Sequence, residues 1–139
     1  MAENNRVKWV GVRPSAAGEA IPVTLYRNCY YKRYSASATI AASSSGTITL
    51  SPPSGYKWLW LKIYMAGATG VSGTFKIDDN VVYNIAEGAD LNRYIAQELN
   101  VPLPVHDSIT VELTNSDTVD HTMTVVVNVL EYPETAEVL

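Results

Sequence analysis

Apolar and polar residues alternate with period two along most of this chain. On an extended backbone successive side chains point to opposite faces, so the alternation predicts half-buried strands. Val7, Trp9 and Gly11 alternate with Lys8, Val10 and Val12, and Ile21, Val23 and Leu25 alternate with Pro22, Thr24 and Tyr26. Residues 13–20 form the loop between these two segments. Pro22 lacks a ladder donor, which makes the second segment an edge strand or an extended arm. Residues 35–46 are small and uncharged and read as a connector or as a weak first strand centred on Thr39 and Ile40. Ile48 and Leu50 open the next strand, and residues 52–55, Pro-Pro-Ser-Gly, turn the chain.

Residues 57–66 carry the strongest strand signal. Strict alternation puts Leu59, Leu61, Ile63 and Met65 on one face, the core face, and Trp58, Trp60, Lys62 and Tyr64 on the other. The second face suits a contact with another subunit, with a glycan or with the chain's own arm. Phe75 and Ile77 lead through Asp78-Asp-Asn80 to Val81, Tyr83 and Ile85, a predicted β-hairpin. Leu91, Tyr94, Ile95 and Leu99 recur at roughly helical spacing within residues 87–100, so a short helix or an irregular crossing fits there before Pro102 and Pro104 stop it, the only helical candidate. Ile109, Val111 and Leu113, then Met123, Val125, Val127 and Val129, predict a second hairpin. The tail, residues 133–139, is acidic and expected to be loose.

This pattern predicts an all-β fold: a jelly-roll-like antiparallel β-sandwich, residues 35–139, preceded by an extended N-terminal arm, residues 1–34. With 139 residues there is room for one packed core. No 20- to 50-residue repeat suggests a solenoid or propeller.

Charge sharpens the division at Tyr34. Residues 1–34 hold six basic side chains against two acidic ones, whereas the rest holds four basic and twelve acidic. A basic arm thus precedes an acidic body. The arm's cations are spaced among apolar residues, and the acidic body repels a polyanion, so protein docking is expected and direct nucleic-acid binding is not. Residues 26–34 contain Tyr26, Arg27, Tyr30, Tyr31, Lys32, Arg33 and Tyr34 and no acid. Tyr and Arg are the types that interfaces enrich.

Candidate chemistry is sparse. Cys29, His106 and His121 lack the close pairing a zinc site needs, so no metal or cofactor is expected. His106-Asp107-Ser108 holds the residue types of a hydrolase triad, yet neighbours on an extended chain point apart, and no enzyme activity is predicted. The acidic turns at Asp78 and Asp79 and at Asp117 and Asp120 do not match an EF-hand. The apolar stretches 58–68 and 123–130 fall short of the about 20 residues of a spanning helix, so no membrane partner is expected. The lone cysteine and the polar start point to synthesis in a reducing cytoplasm.

The layout resembles small β-sandwich virion proteins of tailed phages, most closely the head decoration, or cementing, proteins. The resemblance is carried by the polar residues 1–5, the arm with Val7, Trp9, Ile21, Val23 and Leu25, the Ser-rich joint, and the body run Pro52-Pro-Ser-Gly-Tyr-Lys-Trp-Leu-Trp-Leu. The closing segments Asp107-Ser-Ile-Thr-Val-Glu-Leu and Val125-Val-Val-Asn-Val complete it. It implies a homo-oligomer, a trimer, on the outer capsid surface, whose arms reach neighbouring subunits and the major capsid protein. The interface residues expected are those of the arm and of residues 26–34, together with Trp58, Trp60 and Tyr64. A carbohydrate- or receptor-binding module, or a single-jelly-roll capsid protein, is the alternative.

Overall fold

Nine strands carry the fold of residues 29–95 and 103–135, the parts of the chain that a computed structural model describes. They are β1 (Tyr30–Ile40), β2 (Ser44–Leu50), β3 (Tyr56–Met65), β4 (Val71–Ile77), β5 (Asn80–Ile85), β6 (Leu91–Tyr94), β7 (Leu103–Val105), β8 (Ile109–Asn115) and β9 (His121–Pro133). Their pairing is nested. β4 pairs β5 at the tip, β3 pairs β6, β2 pairs β8, and β1 pairs β9, all antiparallel, as in one long hairpin. Rolling that hairpin up brings β9 against β3 and β8 against β4. Two packed sheets result, ordered β1-β9-β3-β6 and β2-β8-β4-β5, which is the jelly-roll order. The protein is therefore an all-β sandwich, as its alternation predicts.

β6 and β7 behave as one interrupted strand. β6 pairs residues 62–65 of β3, and β7 pairs residues 58–60, so both lie along the same edge of β3. Of the stretch 87–100, residues 87–94 are not helical, the chain turns helical at Ile95, and residues 96–100 lie outside the described residues. Glu87 and Gly88 form a turn, with Gly88 at φ 77°, and Leu91–Tyr94 is a strand whose Leu91 is fully buried.

The expected second hairpin is also corrected. β8 and β9 are consecutive but lie in opposite sheets, joined by a crossing that Asn115 organises. Buried Asn115 donates from Nδ2 to the carbonyls of Ile40, Ala41 and Val119, and its Oδ1 accepts the Asp117 N–H. Its amide satisfies backbone groups that both sheet-switching corners expose.

The inner faces meet in one core. Trp58, Trp60, Ile63 and Met65 of β3 face Ile48, Phe75, Val111 and Leu113 of the other sheet, and Trp60 stacks edge-on against Phe75 at 5.4 Å. This overturns the face assignment for residues 57–66. β3 carries a bulge: Trp60 pairs Val129 and Lys62 pairs Asn128, so Leu61 is an extra residue. One extra residue inverts the parity of everything after it. Trp58 and Trp60 therefore share the core face with Ile63 and Met65, and Leu59, Lys62 and Tyr64 point away from it.

A second bulge, at Val82 of β5, acts likewise: Tyr83 pairs Phe75, Val81 pairs Lys76, and Val81 is exposed. The β4–β5 hairpin itself matches the sequence reading. Asp78 and Asp79 are its two loop residues, at φ 49° and 66°, as a primed turn requires.

Candidate functional site

The sandwich offers two outer faces. On the β2-β8-β4-β5 sheet the row Thr47, Glu112, Thr74 and Asn84 runs between the rows Ser45, Thr114, Ser72 and Thr49, Thr110, Lys76, Val81. It is a hydroxyl surface whose two charges, Lys76 and Glu112, pair at 3.1 Å. The β1-β9-β3-β6 face differs. Tyr31, Leu130, Leu59 and Pro104 form one row, Arg33, Asn128, Lys62 and Tyr94 the next, and Ser35, Val126, Tyr64 and Asn92 the third. Only at its far end does it turn to hydroxyls, where Ser37 meets Thr124 at 2.7 Å and Thr39 meets Thr122 at 2.9 Å.

The middle row is cationic. Arg33 and Lys62 flank Asn128, one strand to either side, and no acidic residue occupies these rows. The Lys62 ammonium lies 4.6 Å over the Tyr94 ring. Together Arg33, Lys62, Tyr64, Val126 and Asn128 line a depression of about 170 Å³. Asn128 Oδ1 is buried there, and among the described residues it accepts no hydrogen bond. Tyr31 is 65% exposed and Tyr64 40%, so aromatic surface borders the cations.

The structure divides the expected interface residues into three groups. Tyr31, Arg33 and Tyr64 lie on this outer face. Tyr30, Lys32 and Tyr34 lie on the inward parity of β1, with Tyr30 and Lys32 exposed at the sandwich end. Trp58 and Trp60 are fully buried, so they serve the core and are closed to a glycan or a neighbouring chain. Val7, Trp9, Ile21, Val23, Leu25, Tyr26 and Arg27 lie outside the described residues. The boundary at Tyr34 also moves: β1 starts at Tyr30, so residues 30–34 belong to the sandwich.

Tyr34 and Trp58 instead build a buried carboxylate nest. Tyr34 stacks on Trp58 at 5.0 Å, and Glu131 accepts from Tyr34 Oη at 2.5 Å and from Trp58 Nε1 at 3.0 Å, with Lys32 at 3.6 Å. Burial works to raise the Glu131 carboxyl, but the Tyr34 and Trp58 hydrogen bonds and the Lys32 charge outweigh it and hold it below its ordinary value. Burial, then the hydrogen bond to Glu131 and its charge, push the Tyr34 hydroxyl up to about 12.

The acidic tip at Asp78 has a structural explanation too. Its carboxylate accepts the backbone N–H groups of His106, Asp107 and Ser108, at 3.0, 2.7 and 3.1 Å, so it pins the turn before β8 to the β4–β5 hairpin. Burial opposes ionisation, yet these bonds and the nearby His106 hold the carboxyl below its usual range. The His106-Asp107-Ser108 run is thereby held by its backbone, not arranged as a triad. Asp117 is occupied by His121 at 2.9 Å, and the backbone N–H of Ala42 by Asp120. Among the described residues no group of three or more His, Cys, Asp or Glu side chains converges on a metal-sized space.

Lys62, Asn128 and Tyr94 are what the sequence reading missed or misplaced. Asn128 had a signal, a lone amide in the apolar run 125–130 that marks the outward parity of β9. No family model matches this chain, and no curated protein matches it either.

Proposed function

We propose that this chain is a viral structural protein, a decoration protein that cements the outer surface of a tailed-phage head by contacts with neighbouring subunits and the major capsid protein. The observation that carries the reading is the asymmetry of a jelly-roll body: one outer face of tyrosine and of cations that pair with no acid among the described residues, the other of solvated hydroxyls. Jelly rolls serve viral capsids, and lectins as well, so the fold supports the reading by analogy and the face supplies the contact chemistry. The role is non-catalytic, needs no cofactor and fits an oligomer, a trimer in the resemblance, made in the host cytoplasm. The basic arm, residues 1–28 with four basic and two acidic side chains, adds further weak contacts that sum by avidity.

The test compares heads produced with and without this chain. Purified heads should contain it, and heads lacking it should release DNA at lower temperature. Heads that exclude it, or that melt identically, reject the proposal. A carbohydrate-binding module is the second reading, favoured by the exposed Tyr31 and Tyr64. A glycan-array signal abolished by Tyr64→Ala, without incorporation into heads, would select it.

A further inference from the structure

We infer that the Arg33–Asn128–Lys62 row receives the acidic tip of a second copy of this chain, through the Asp79 and Asp107 carboxylates. The inference deepens the oligomer of the proposed function and does not depend on the virion.

The receiving side is specific. Arg33 makes no ion pair with any described residue, Lys62 meets only the Tyr94 ring, and the side-chain amide of Asn128 between them makes no hydrogen bond among the described residues. Two cations lining one depression form a receptor for carboxylates: Arg33 and Lys62 take the acids on either side of Asn128. Exposed Tyr31 and Tyr64 border it with surface that buries well at small entropic cost.

The donor is on the same chain but cannot reach. Asp79 and Asp107 are exposed, and neither carboxylate bonds to a described residue. Both ride on the tip that Asp78 locks with its three backbone hydrogen bonds, Asp79 beside it in the turn and Asp107 on the segment it holds. A locked tip loses little freedom on docking, so its charges are presented ready to bind. Of the other described acids, Asp90 accepts from Gly67, Asp117 and Asp120 hold their own end of the sandwich, Glu112, Glu131 and Glu134 pair with Lys76, Lys32 and Lys57, and Glu87 is exposed in the turn before β6. Tip and receiving row are different parts of the surface. Tip-to-row contact between copies closes either reciprocally, as a two-fold dimer in which each tip meets the other row, or by repetition around a ring.

Light scattering of the full-length protein over a range of concentrations tests this. The wild type should be oligomeric, and more weakly so as salt rises. Arg33→Glu with Lys62→Glu should weaken association by about a hundredfold or more, because like charges then oppose each other. Asp79→Asn with Asp107→Lys should do the same, Asn being chosen to tolerate the left-handed backbone at residue 79. Combining all four changes in one chain should restore the oligomer with its polarity reversed. Glu87→Gln should leave the mass unchanged, and unaltered circular dichroism and Tm should show that every variant folds. A wild-type monomer, an oligomer indifferent to the first pair, or folded fourfold variants that stay monomeric would overturn the contact. Head incorporation would still be judged by its own assay.

Discussion

The two outer faces of this sandwich are built on the same period-two code, yet one is chemically quiet and the other is not. Hydroxyls of Thr47, Thr49, Thr74, Thr110 and Thr114 cover the β2-β8-β4-β5 face, where β-branched side chains favour the strand and water satisfies their oxygens. The opposite face carries Tyr31, Arg33, Lys62, Tyr64 and Asn128 in adjoining rows. Threonine serves the fold alone. Long cationic and aromatic side chains contribute no more to strand formation than threonine does, so their concentration on one face points to contact chemistry.

The largest effect should come from testing which face of β3 is which. Without the Leu61 bulge, Trp60 and Tyr64 would share a face; with it, Trp60 is fully buried and Tyr64 is 40% exposed. Trp60→Ala should cost about 3–5 kcal/mol in chemical unfolding by leaving a cavity beside Phe75. Tyr64→Ala should stay within about 1 kcal/mol. Equal costs would mean that the faces are not separated as described.

Much of this was legible in the alternation itself. The all-β class, the primed turn at Asp78 and Asp79 and the core role of Val125, Val127 and Val129 all follow from local pattern and turn chemistry. What failed was parity beyond Leu61, because nothing in Trp-Leu-Trp-Leu-Lys-Ile-Tyr-Met announces which of two apolar faces is interrupted. Pairing partners failed for a related reason: β8 and β9 read as a hairpin, but rolling the sheet assigns them to different layers, a choice made by tertiary packing. The receiving row was illegible because it joins residues 33, 62, 94 and 128, which only the sheet brings side by side.

The two tryptophans then separate two roles within the core. Trp58 Nε1 donates to Glu131, whereas Trp60 Nε1 has no partner among the described residues. Trp58→Phe should cost about 1.5–3 kcal/mol, since it deprives a buried charge of a hydrogen bond, beyond the loss of volume. Trp60→Phe removes a donor that bonds to no described residue and should cost less, its penalty being volume. Thermal unfolding of the pair measures the difference, and equal shifts would deny Glu131 its role.

Stability should also follow pH through the same end of the molecule. Asp78 and Glu131 both have folded-state carboxyls below their ordinary values, so the unfolded chain binds protons more readily. Their contribution is present above the unfolded values and is lost as pH falls below about 5, so Tm should drop on acidification. Tyr34 works in the opposite sense: raised to about 12, it contributes below its ordinary value and loses that contribution as pH climbs toward 12. Asp78→Asn and Glu131→Gln should each flatten the acid limb, and Tyr34→Phe the alkaline one. A wild-type profile level from pH 3 to pH 6 would remove both nests as stabilising devices.

The smallest effect is the most informative about the faces. Deleting Leu61 removes the extra residue, and the shortened strand then alternates without interruption: Trp58 and Trp60 in, Lys62 out, Ile63 in, Tyr64 out, Met65 in. Each side chain keeps the face it already has, because the bulge residue is what separates the two halves of the strand. The deletion should fold with the same core and cost about 1 kcal/mol or less, mostly the packing of half-buried Leu61. A deletion that unfolds the protein would mean that β3 reads its faces as strict alternation from Trp58 onward, with the tryptophans outside, because the shortened strand would then turn Lys62 inward.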